Sequence, residues 1–318
     1  MLADPAPREG ALRIEGPSIT ARATRAPKEG KRIDARGLFV LPAVIDAHVH
    51  LSVAGEAGLV AREELRRGVA GVLDLGAPAG LLPLDFRPLR TRFSGPLLTA
   101  PGGYPTQTWG KDGHGLGLAT PEEARAAVRK LAESGARFAK LAFDPRFPML
   151  APEVARAAVV EAHGLGLMVA AHALEADSVR RALSAGADVL AHTPREELPR
   201  DLLDRMGGNW VISTLHAFRV DPARLQALRH AGARIAYGTD LGNEDTAPGI
   251  DARELALLAK AGIDPLKAAT QQSAELLGLR DLGRLSVGSA ASMVAVRDLA
   301  PESLARPVWV MIDGKMVV

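Results

Sequence analysis

The chain has 318 residues, of which 47% are hydrophobic and 24% are charged, and its formal net charge at pH 7 is +2. This nearly balanced charge excludes the strongly basic surface of nucleic-acid-binding proteins, and no stretch reaches the roughly 18 consecutive apolar residues of a membrane-spanning helix. The chain has no cysteine, so disulfides and thiolate ligands are excluded and any bound metal must be held by nitrogen and oxygen.

The start of the chain differs in pattern from the middle. Its first ten residues, MLADPAPREG, lack the basic and apolar segments of a secretory signal, which predicts a cytoplasmic protein. Polar and apolar residues alternate in four segments near the two ends of the sequence, 11–23, 31–39, 284–298 and 308–318. We therefore predict a small β-sandwich domain formed by residues 1–40 and 283–318.

From about Ile45 onward, the chain repeats a short apolar run, a turn and an amphipathic segment of helical period. Eight runs are predicted as strands: 43–51, 71–76, 96–103, 137–143, 166–174, 188–193, 209–215 and 234–240. Thr120 to Glu123 predicts one helix start, with an N-cap threonine, a proline and a capping-box glutamate. Eight continuous apolar strands favour an α/β fold of the closed (β/α)8 TIM-like barrel type over residues 41–282. An open doubly wound sheet would show a glycine-rich phosphate turn after its first strand, and none is found there.

The third run is followed by an unusually long connection, residues 104–120, which is rich in glycine and polar residues. Long loops at the C-terminal rim of a barrel commonly shape the substrate site. We therefore predict that Tyr104 and His114 contact the substrate, together with His216, which follows the seventh run.

Polar side chains that can take part in chemistry fall near the ends of the predicted strands. They are His48, His50, Lys140, His172, His192 and Asp240. His48 and His50 are two residues apart on a strand, so both imidazoles point to the same side. An unpaired polar group in such an apolar run costs roughly 2–7 kcal/mol. A shared divalent cation compensates all of them, since imidazole and carboxylate are ligands of ions such as Zn²⁺.

Each of these residues alone also has an ordinary structural explanation. A single buried histidine is usually bonded to the backbone, an isolated lysine keeps its ammonium near water, and Asp240 in GTD suits a helix N-cap. His163 and His230 lie within two residues of a following glycine in helical patterns, where a cation suits the helix C-terminus, so we expect structural roles for them. The coincidence of all six at one rim favours a metal site.

These motifs resemble those of the amidohydrolase superfamily of metal-dependent hydrolases, and more narrowly its imidazolonepropionase and Xaa-Pro dipeptidase branch. ARGLFVLPAVIDAHVHL resembles the first-strand signature of that family, and EEARAAVRKLAESGARFAKLAF resembles the approach to its strand-four lysine. VAAHA, LAHT and YGTD resemble the histidines of strands five and six and the aspartate of strand eight. GRLSVGSAASMVAV and VMIDGK resemble the C-terminal strands typical of the family.

The resemblance implies a site for one or two divalent metal ions, with zinc as the expected metal. His48 and His50 would bind the more buried ion with Asp240, and His172 and His192 would bind the second. Lys140 would bridge the two ions as a carbamate formed with CO2. A metal-activated hydroxide would attack a carbonyl carbon, with Asp240 as general base and then general acid.

The same resemblance implies hydrolysis of a C–N bond in a small amide, either a dipeptide, an N-acyl amino acid or a cyclic amide. A carboxylate on such a substrate would find Arg146, Lys111 or His114 near the rim. One alternative is a mononuclear deaminase or imidazolone-type ring hydrolase, in which Lys140 stays an ordinary lysine. Another is a noncatalytic metal-containing binding or assembly subunit. The oligomeric state stays open and includes a homo-oligomer.

Overall fold

The computed structural model describes residues 9–25 and 30–318. Residues 1–8 and 26–29 belong to the predicted β-domain and lie outside the described residues, and the expectation of a missing secretory signal, made from residues 1–10, stays a prediction. The strands are β1 Ala11–Glu15, β2 Ser18–Ala23, β3 Phe39–Pro42, β4 Val44–Val49, β5 Val69–Asp74, β6 Arg90–Phe93, β7 Leu97–Thr99, β8 Gly115–Gly117, β9 Phe138–Phe143, β10 Met168–Ala173, β11 Val189–Leu190, β12 Trp210–Ile212, β13 Arg234–Ala236, β14 Met293–Val296, β15 Trp309–Ile312 and β16 Lys315–Met316.

Twelve α-helices are found in the described part of the chain. They are α1 Leu51–Ala54, α2 Ala57–Arg66, α3 Pro121–Glu133, α4 Pro152–Gly164, α5 Ala176–Ala185, α6 Arg200–Leu203, α7 Leu215–Phe218, α8 Pro222–His230, α9 Ala252–Lys260, α10 Pro265–Lys267, α11 Ser273–Leu277 and α12 Pro301–Leu304. A wider helical turn, Ala268–Gln272, joins α10 to α11. Among the described residues, none of the helices combines the length and apolar character that a membrane crossing needs.

Two parallel sheets form the centre of the fold. The larger has the strand order β13-β12-β11-β10-β9-β7-β8, and the smaller has the order β4-β5-β6. Backbone hydrogen bonds connect the two sheets on one side, where Ala47 N donates to Tyr237 O at 3.0 Å and Asp240 N donates to His48 O at 2.8 Å. At the other side, Arg137 N donates to Phe93 O at 3.2 Å. The prediction of an α/β fold built on a parallel sheet is confirmed.

The parallel strands follow the apolar runs of the sequence. Each of the eight predicted runs overlaps one strand, although β5 begins two residues before its run, and every residue of β4, β5 and β9 is buried, as expected for strands covered on both faces. The predicted start of α3 is also confirmed, since the Thr120 hydroxyl accepts from Glu123 N at 3.2 Å and the Glu123 carboxylate accepts from Thr120 N at 3.3 Å. The sequence patterns do not predict β6 or β8.

The segments near the two ends of the described chain pair with each other. β3 lies antiparallel to β14 in a four-stranded sheet of order β16-β15-β14-β3. The β1–β2 hairpin joins this region through the bond from Ile19 N to Ser289 O, 2.9 Å long. Ile19, Ala291, Met293 and Met311 form a separate buried cluster there. The chain passes from this sheet to the parallel sheets at Ala43, between β3 and β4.

Candidate metal centre

The six side chains predicted to take part in chemistry come from five segments of the parallel sheets. His48 lies on β4 and His50 directly follows it, Lys140 lies on β9 and His172 on β10, while His192 and Asp240 follow β11 and β13. Because parallel strands end at the same edge of a sheet, their C-terminal ends bring these groups together. All six are buried, the most exposed being His50 at 7%.

Three of them form a compact cluster. The Nε2 atom of His48 lies 3.1 Å from Oδ1 of Asp240, and the Nε2 atom of His50 lies 3.3 Å from the same oxygen. One potential ligand atom from each residue lies within 4.8 Å of the other two. Asp240 adopts a φ of 56°, in the left-handed region, which is uncommon for a residue with a side chain. Asn243 Nδ2 donates to the other carboxylate oxygen of Asp240, Oδ2, at 3.0 Å.

The protonation of His48 tests whether this cluster fits a cation. Its Nδ1 lies 2.9 Å from the carbonyl oxygen of Ala191, which can only accept, so Nδ1 carries the proton and Nε2 presents a lone pair to Asp240. Burial, followed by the charge of Lys140, holds the pKa of His48 well below its ordinary value, so the ring is neutral at pH 7. Asp240 Oδ1 and His50 Nδ1 have no hydrogen-bond partner among the described residues. A buried oxygen that faces an imidazole lone pair fits a divalent ion between them.

The carboxyl group of Asp240 is ionised in this surrounding. Burial by itself raises its pKa, but the interactions with His48, His50 and His192 outweigh burial, and the pKa lies well below the ordinary value. The cluster therefore combines the anionic carboxylate of Asp240 with the neutral imidazole of His48, which is the protonation state in which such groups bind metals.

Lys140 is the buried amine of the site. Its side chain is 1% exposed, and Nζ lies 3.5 Å from His48 Nε2. Burial lowers its pKa to about 7, against the opposing effect of Asp240. A large share of Lys140 is therefore an uncharged amine near neutral pH.

His172 and His192 form a pair beside the three-residue cluster. His172 Nδ1 and His192 Nε2 are 2.9 Å apart, so that one of the two nitrogens carries the proton and the other accepts. Burial lowers the pKa of His172 to about 3 and that of His192 well below its ordinary value. His192 Nδ1 also contacts Thr214 Oγ1 at 3.1 Å, and its ring lies 4.6 Å from that of His48.

Two buried aspartates that the sequence analysis did not single out support these ligands. Asp46 accepts from His48 N at 3.0 Å, from Thr239 N at 3.1 Å and from Thr239 Oγ1 at 2.6 Å. Asp74 accepts from Leu51 N at 2.9 Å, directly after His50. Each is the only carboxylate in its apolar run, and this is the signal by which the sequence could have identified them.

Aromatic rings surround the imidazoles. Tyr104 stacks on His172 at a centroid distance of 4.6 Å and an angle of 25°, and Phe218 lies edge-on to His192 at 4.4 Å. Trp109 lies 4.9 Å from His50. The cavity between them has a volume of about 290 Å³ and is lined by His50, Val53, Leu97, Tyr104, Trp109, Lys140, His172, His192, Phe218, Asp240, Gly242, Asn243 and Glu244. Neither Trp109 nor Phe218 was predicted from the sequence.

The other residues expected to contact the substrate have partners outside this lining. His114 Nε2 lies 3.1 Å from Ser52 Oγ, and His216 Nδ1 lies 2.7 Å from Asp251 Oδ2. The exposed Arg146 binds Asp144 through two bonds of 3.0 and 2.6 Å. Of the predicted substrate contacts, Tyr104 is the one that lines the cavity.

The chain has a parallel α/β fold whose strand ends carry histidines and an aspartate, a set of side chains that could hold a metal ion. The amidohydrolase family model matches residues 39–317, and the chain belongs to this family. The predicted resemblance is thereby confirmed.

Individual relatives are distant. An uncharacterised protein of Mycobacterium tuberculosis is 26% identical over 190 residues, which are 55% of this chain and 50% of the relative, so the chain spans about half the length of such relatives. The imidazolonepropionase of Myxococcus xanthus is 27% identical, over 90% of this chain and 82% of its own. Among solved structures, a Xaa-Pro dipeptidase with methionine bound in its active site superimposes with a TM-score of 0.81 at 23% identity, covering 96% of this chain and 94% of the other. The last similarity concerns the fold.

Proposed function

We propose that the two parallel sheets form one closed (β/α)8 barrel over residues 41–282, with a β-sandwich domain from residues 1–40 and 283–318. The bonds between Ala47 and Tyr237 and between Arg137 and Phe93, which connect the sheets at both sides, support this closure. The active site then lies at the C-terminal mouth of the barrel, where sites of this architecture are found.

We propose further that the site binds one or two divalent metal ions, with zinc as the expected metal. His48, His50 and Asp240 would hold one ion, His172 and His192 the second. Lys140 would bridge them after its uncharged amine forms an N–C bond to CO2 and loses a proton, giving a carbamate with two oxygens. The support is the buried position of Lys140 next to His48 and its lowered pKa of about 7, since only the uncharged amine reacts with CO2.

The activity that the site supports best is hydrolysis of the C–N bond of a small amide. A bound divalent ion supplies a water of lowered pKa and polarises a carbonyl oxygen. Asp240 accepts the proton of the attacking water and passes it to the nitrogen of the leaving amine. Asn243 keeps the Asp240 carboxylate oriented through its bond to Oδ2, and Tyr104 and Trp109 wall the cavity against bulk water. The observation that carries this proposal is Asp240 Oδ1, buried and without a hydrogen-bond partner, facing two imidazole nitrogens.

The proposal is tested by elemental analysis of the purified protein together with an amide library of dipeptides, N-acyl amino acids and cyclic amides. We expect bound zinc and turnover of at least one amide, and we expect Asp240→Asn to lose turnover by a factor of about 10² to 10⁴, as for a general base. Full activity of Asp240→Asn, or a protein without metal that is still active, would contradict the mechanism. A zinc-loaded protein that hydrolyses no amide, lactone or aminopurine would favour the noncatalytic alternative.

The second candidate is a mononuclear deaminase or imidazolone-type ring hydrolase. It is favoured by the compactness of the cluster of His48, His50 and Asp240, which alone provides three ligands for one ion. In that case Lys140 stays unmodified and the metal content is one ion per chain. Metal stoichiometry measured with and without bicarbonate separates the two candidates.

A further inference from the structure

The cavity wall is unusually rich in aromatic rings for this chain. Aromatic residues make up 4% of the sequence, yet Tyr104, Trp109 and Phe218 all line this one cavity. Each of them contacts a different imidazole. Trp109 is held in place by its indole N–H, which donates to Tyr104 Oη at 2.8 Å. This wall offers flat apolar surfaces to whatever group enters beside the scissile bond.

Among the described residues that line the cavity, none is an arginine that could pair with a substrate carboxylate. Among the described residues that line the cavity, the charged ones are Lys140 and Asp240 at the floor and Glu244, which is exposed. Arg146, expected from the sequence to bind a substrate carboxylate, is held by two bonds to Asp144. A carboxylate entering here would lose its water and meet no arginine in the lining.

One other arginine approaches the wall from outside. The guanidinium carbon of Arg195 lies 5.3 Å from the centroid of the Phe218 ring, but Arg195 is not among the lining residues. It is the group to test as a carboxylate partner if the wall were to accept anions.

The volume limits the size of the substrate. A space of about 290 Å³ corresponds to roughly ten water molecules at about 30 Å³ each. This volume lies at the lower end of the range for ligand pockets, about 300–1,000 Å³, and indicates a small substrate.

We propose that the substrate is a small uncharged amide carrying an aromatic ring, with the ring against Tyr104, Trp109 and Phe218, and that it carries no free carboxylate. This inference rests on the proposed amide hydrolysis and narrows it. Within the set of dipeptides, N-acyl amino acids and cyclic amides, it disfavours the first two, because both carry a carboxylate next to the scissile amide.

The test compares three probes for binding to the metal-loaded protein by titration calorimetry. Acetanilide is neutral and aromatic, 4-acetamidobenzoate adds one carboxylate, and N-cyclohexylacetamide replaces the aromatic ring with a saturated ring of similar size. We expect acetanilide to bind at least about tenfold more tightly than the carboxylate probe. We expect it to bind about two- to tenfold more tightly than the cyclohexyl probe, the range expected for aromatic ring pairs.

Variants assign the effect to the wall. Trp109→Leu should reduce the preference of the protein for acetanilide over the cyclohexyl probe. Trp309→Leu, on β15 of the four-stranded sheet, should leave this preference unchanged. If Trp109→Leu does not fold, Phe218→Leu at the end of α7 provides the same measurement. Tighter binding of the carboxylate probe than of acetanilide, or no binding of acetanilide, overturns the proposal. If the carboxylate probe does bind more tightly, loss of that binding in Arg195→Ala would identify Arg195 as the group that binds the carboxylate.

Binding and turnover separate this inference from the proposed function. Preferential binding of acetanilide by a protein that hydrolyses neither acetanilide nor any amide of the library supports the ligand preference and contradicts amide hydrolysis. Hydrolysis of N-acyl amino acids in preference to neutral anilides supports amide hydrolysis and overturns the substrate class.

Discussion

Thr239 donates a hydrogen bond from its hydroxyl group to Oδ2 of Asp46 at 2.6 Å, and this bond joins the segment that carries Asp240 to the strand that carries His48. The other oxygen of Asp46 accepts from the backbone N–H groups of His48 and Thr239. Asp46 does not line the cavity, yet it fixes the relative position of two candidate metal ligands.

Thr239→Val should weaken metal binding without altering a ligand. Removing the hydroxyl group takes one of the three donors from the buried Asp46 carboxylate, and we expect a loss of about 1–3 kcal/mol in the free energy of unfolding and about 10- to 100-fold in metal affinity. Chelator competition and denaturant titration measure the two effects. Thr239→Ser keeps the hydroxyl group and should stay close to the wild type; equal behaviour of the two variants would refute the role of this bond.

His172→Ala should reduce metal content and activity together. His172 lies buried beside His192 in the proposed second metal position, so its removal takes away a ligand. Metal analysis and amide turnover are measured on the same preparation. His163→Ala is the matched control, because His163 is 44% exposed on α4 and pairs with Asp188, away from the cavity, and should leave both values near wild type. Similar losses in the two variants would contradict the assignment of His172.

Lys140→Met should remove any dependence of metal content on bicarbonate. The wild-type amine, with a pKa of about 7, is largely uncharged above that pH and reacts with CO2, so we expect a second metal equivalent when the protein is loaded with bicarbonate at alkaline rather than mildly acidic pH. Native mass spectrometry detects the added CO2. Lys130→Met on the exposed face of α3 serves as the control. A single ion per chain under all conditions would instead favour the mononuclear candidate.

Glu254 should make the protein less stable as the pH rises. Its carboxylate is fully buried, and burial raises its pKa to about 7 although Leu215 N and His216 N donate to it. The folded state binds this proton more tightly than the unfolded chain, in which the pKa of Glu254 has its ordinary value of 4.5. The stabilising contribution of Glu254 is therefore complete below pH 4.5 and is lost as the pH rises through about 7. The difference corresponds to about 3 kcal/mol.

Denaturant titrations across this pH range test the prediction. Glu254→Gln cannot ionise, so its stability relative to wild type should increase with pH, whatever constant offset the lost acceptor introduces. Glu153→Gln, at an exposed position of α4, should run parallel to wild type. If the curve of Glu254→Gln also runs parallel, the buried carboxyl group does not titrate there.

The sequence predicts the parallel strands well because strands buried on both faces are almost wholly apolar, and this signal is local. It does not predict β6, whose residues Arg90 and Arg92 are charged. Arg90 binds Asp281 and Asp313, and Arg92 donates to Leu277 O. These partners lie far along the chain, so the sequence of this segment alone is typical of a loop, and only the folded structure shows what its arginines contact.

The candidate site also has residues that the sequence predicts and residues that it does not. Groups on strands could be predicted to converge because the ends of parallel strands meet. The position of Trp109 depends on an irregular loop and on its bond to Tyr104, and no periodic pattern reports either. His114 and His216 were predicted to contact the substrate, but they contact Ser52 and Asp251. These partners belong to other segments that the sequence does not associate with the two histidines.

The pairing of β3 with β14 has a consequence for synthesis on the ribosome. β3 ends at Pro42, while its neighbour begins only at Met293, so one edge of β3 waits for its partner until nearly the whole chain has emerged. Unpaired strand edges are templates for association with other molecules. This edge of β3 is therefore open to association with other molecules until β14 has been synthesised, and shielding of it by a chaperone would matter over that interval.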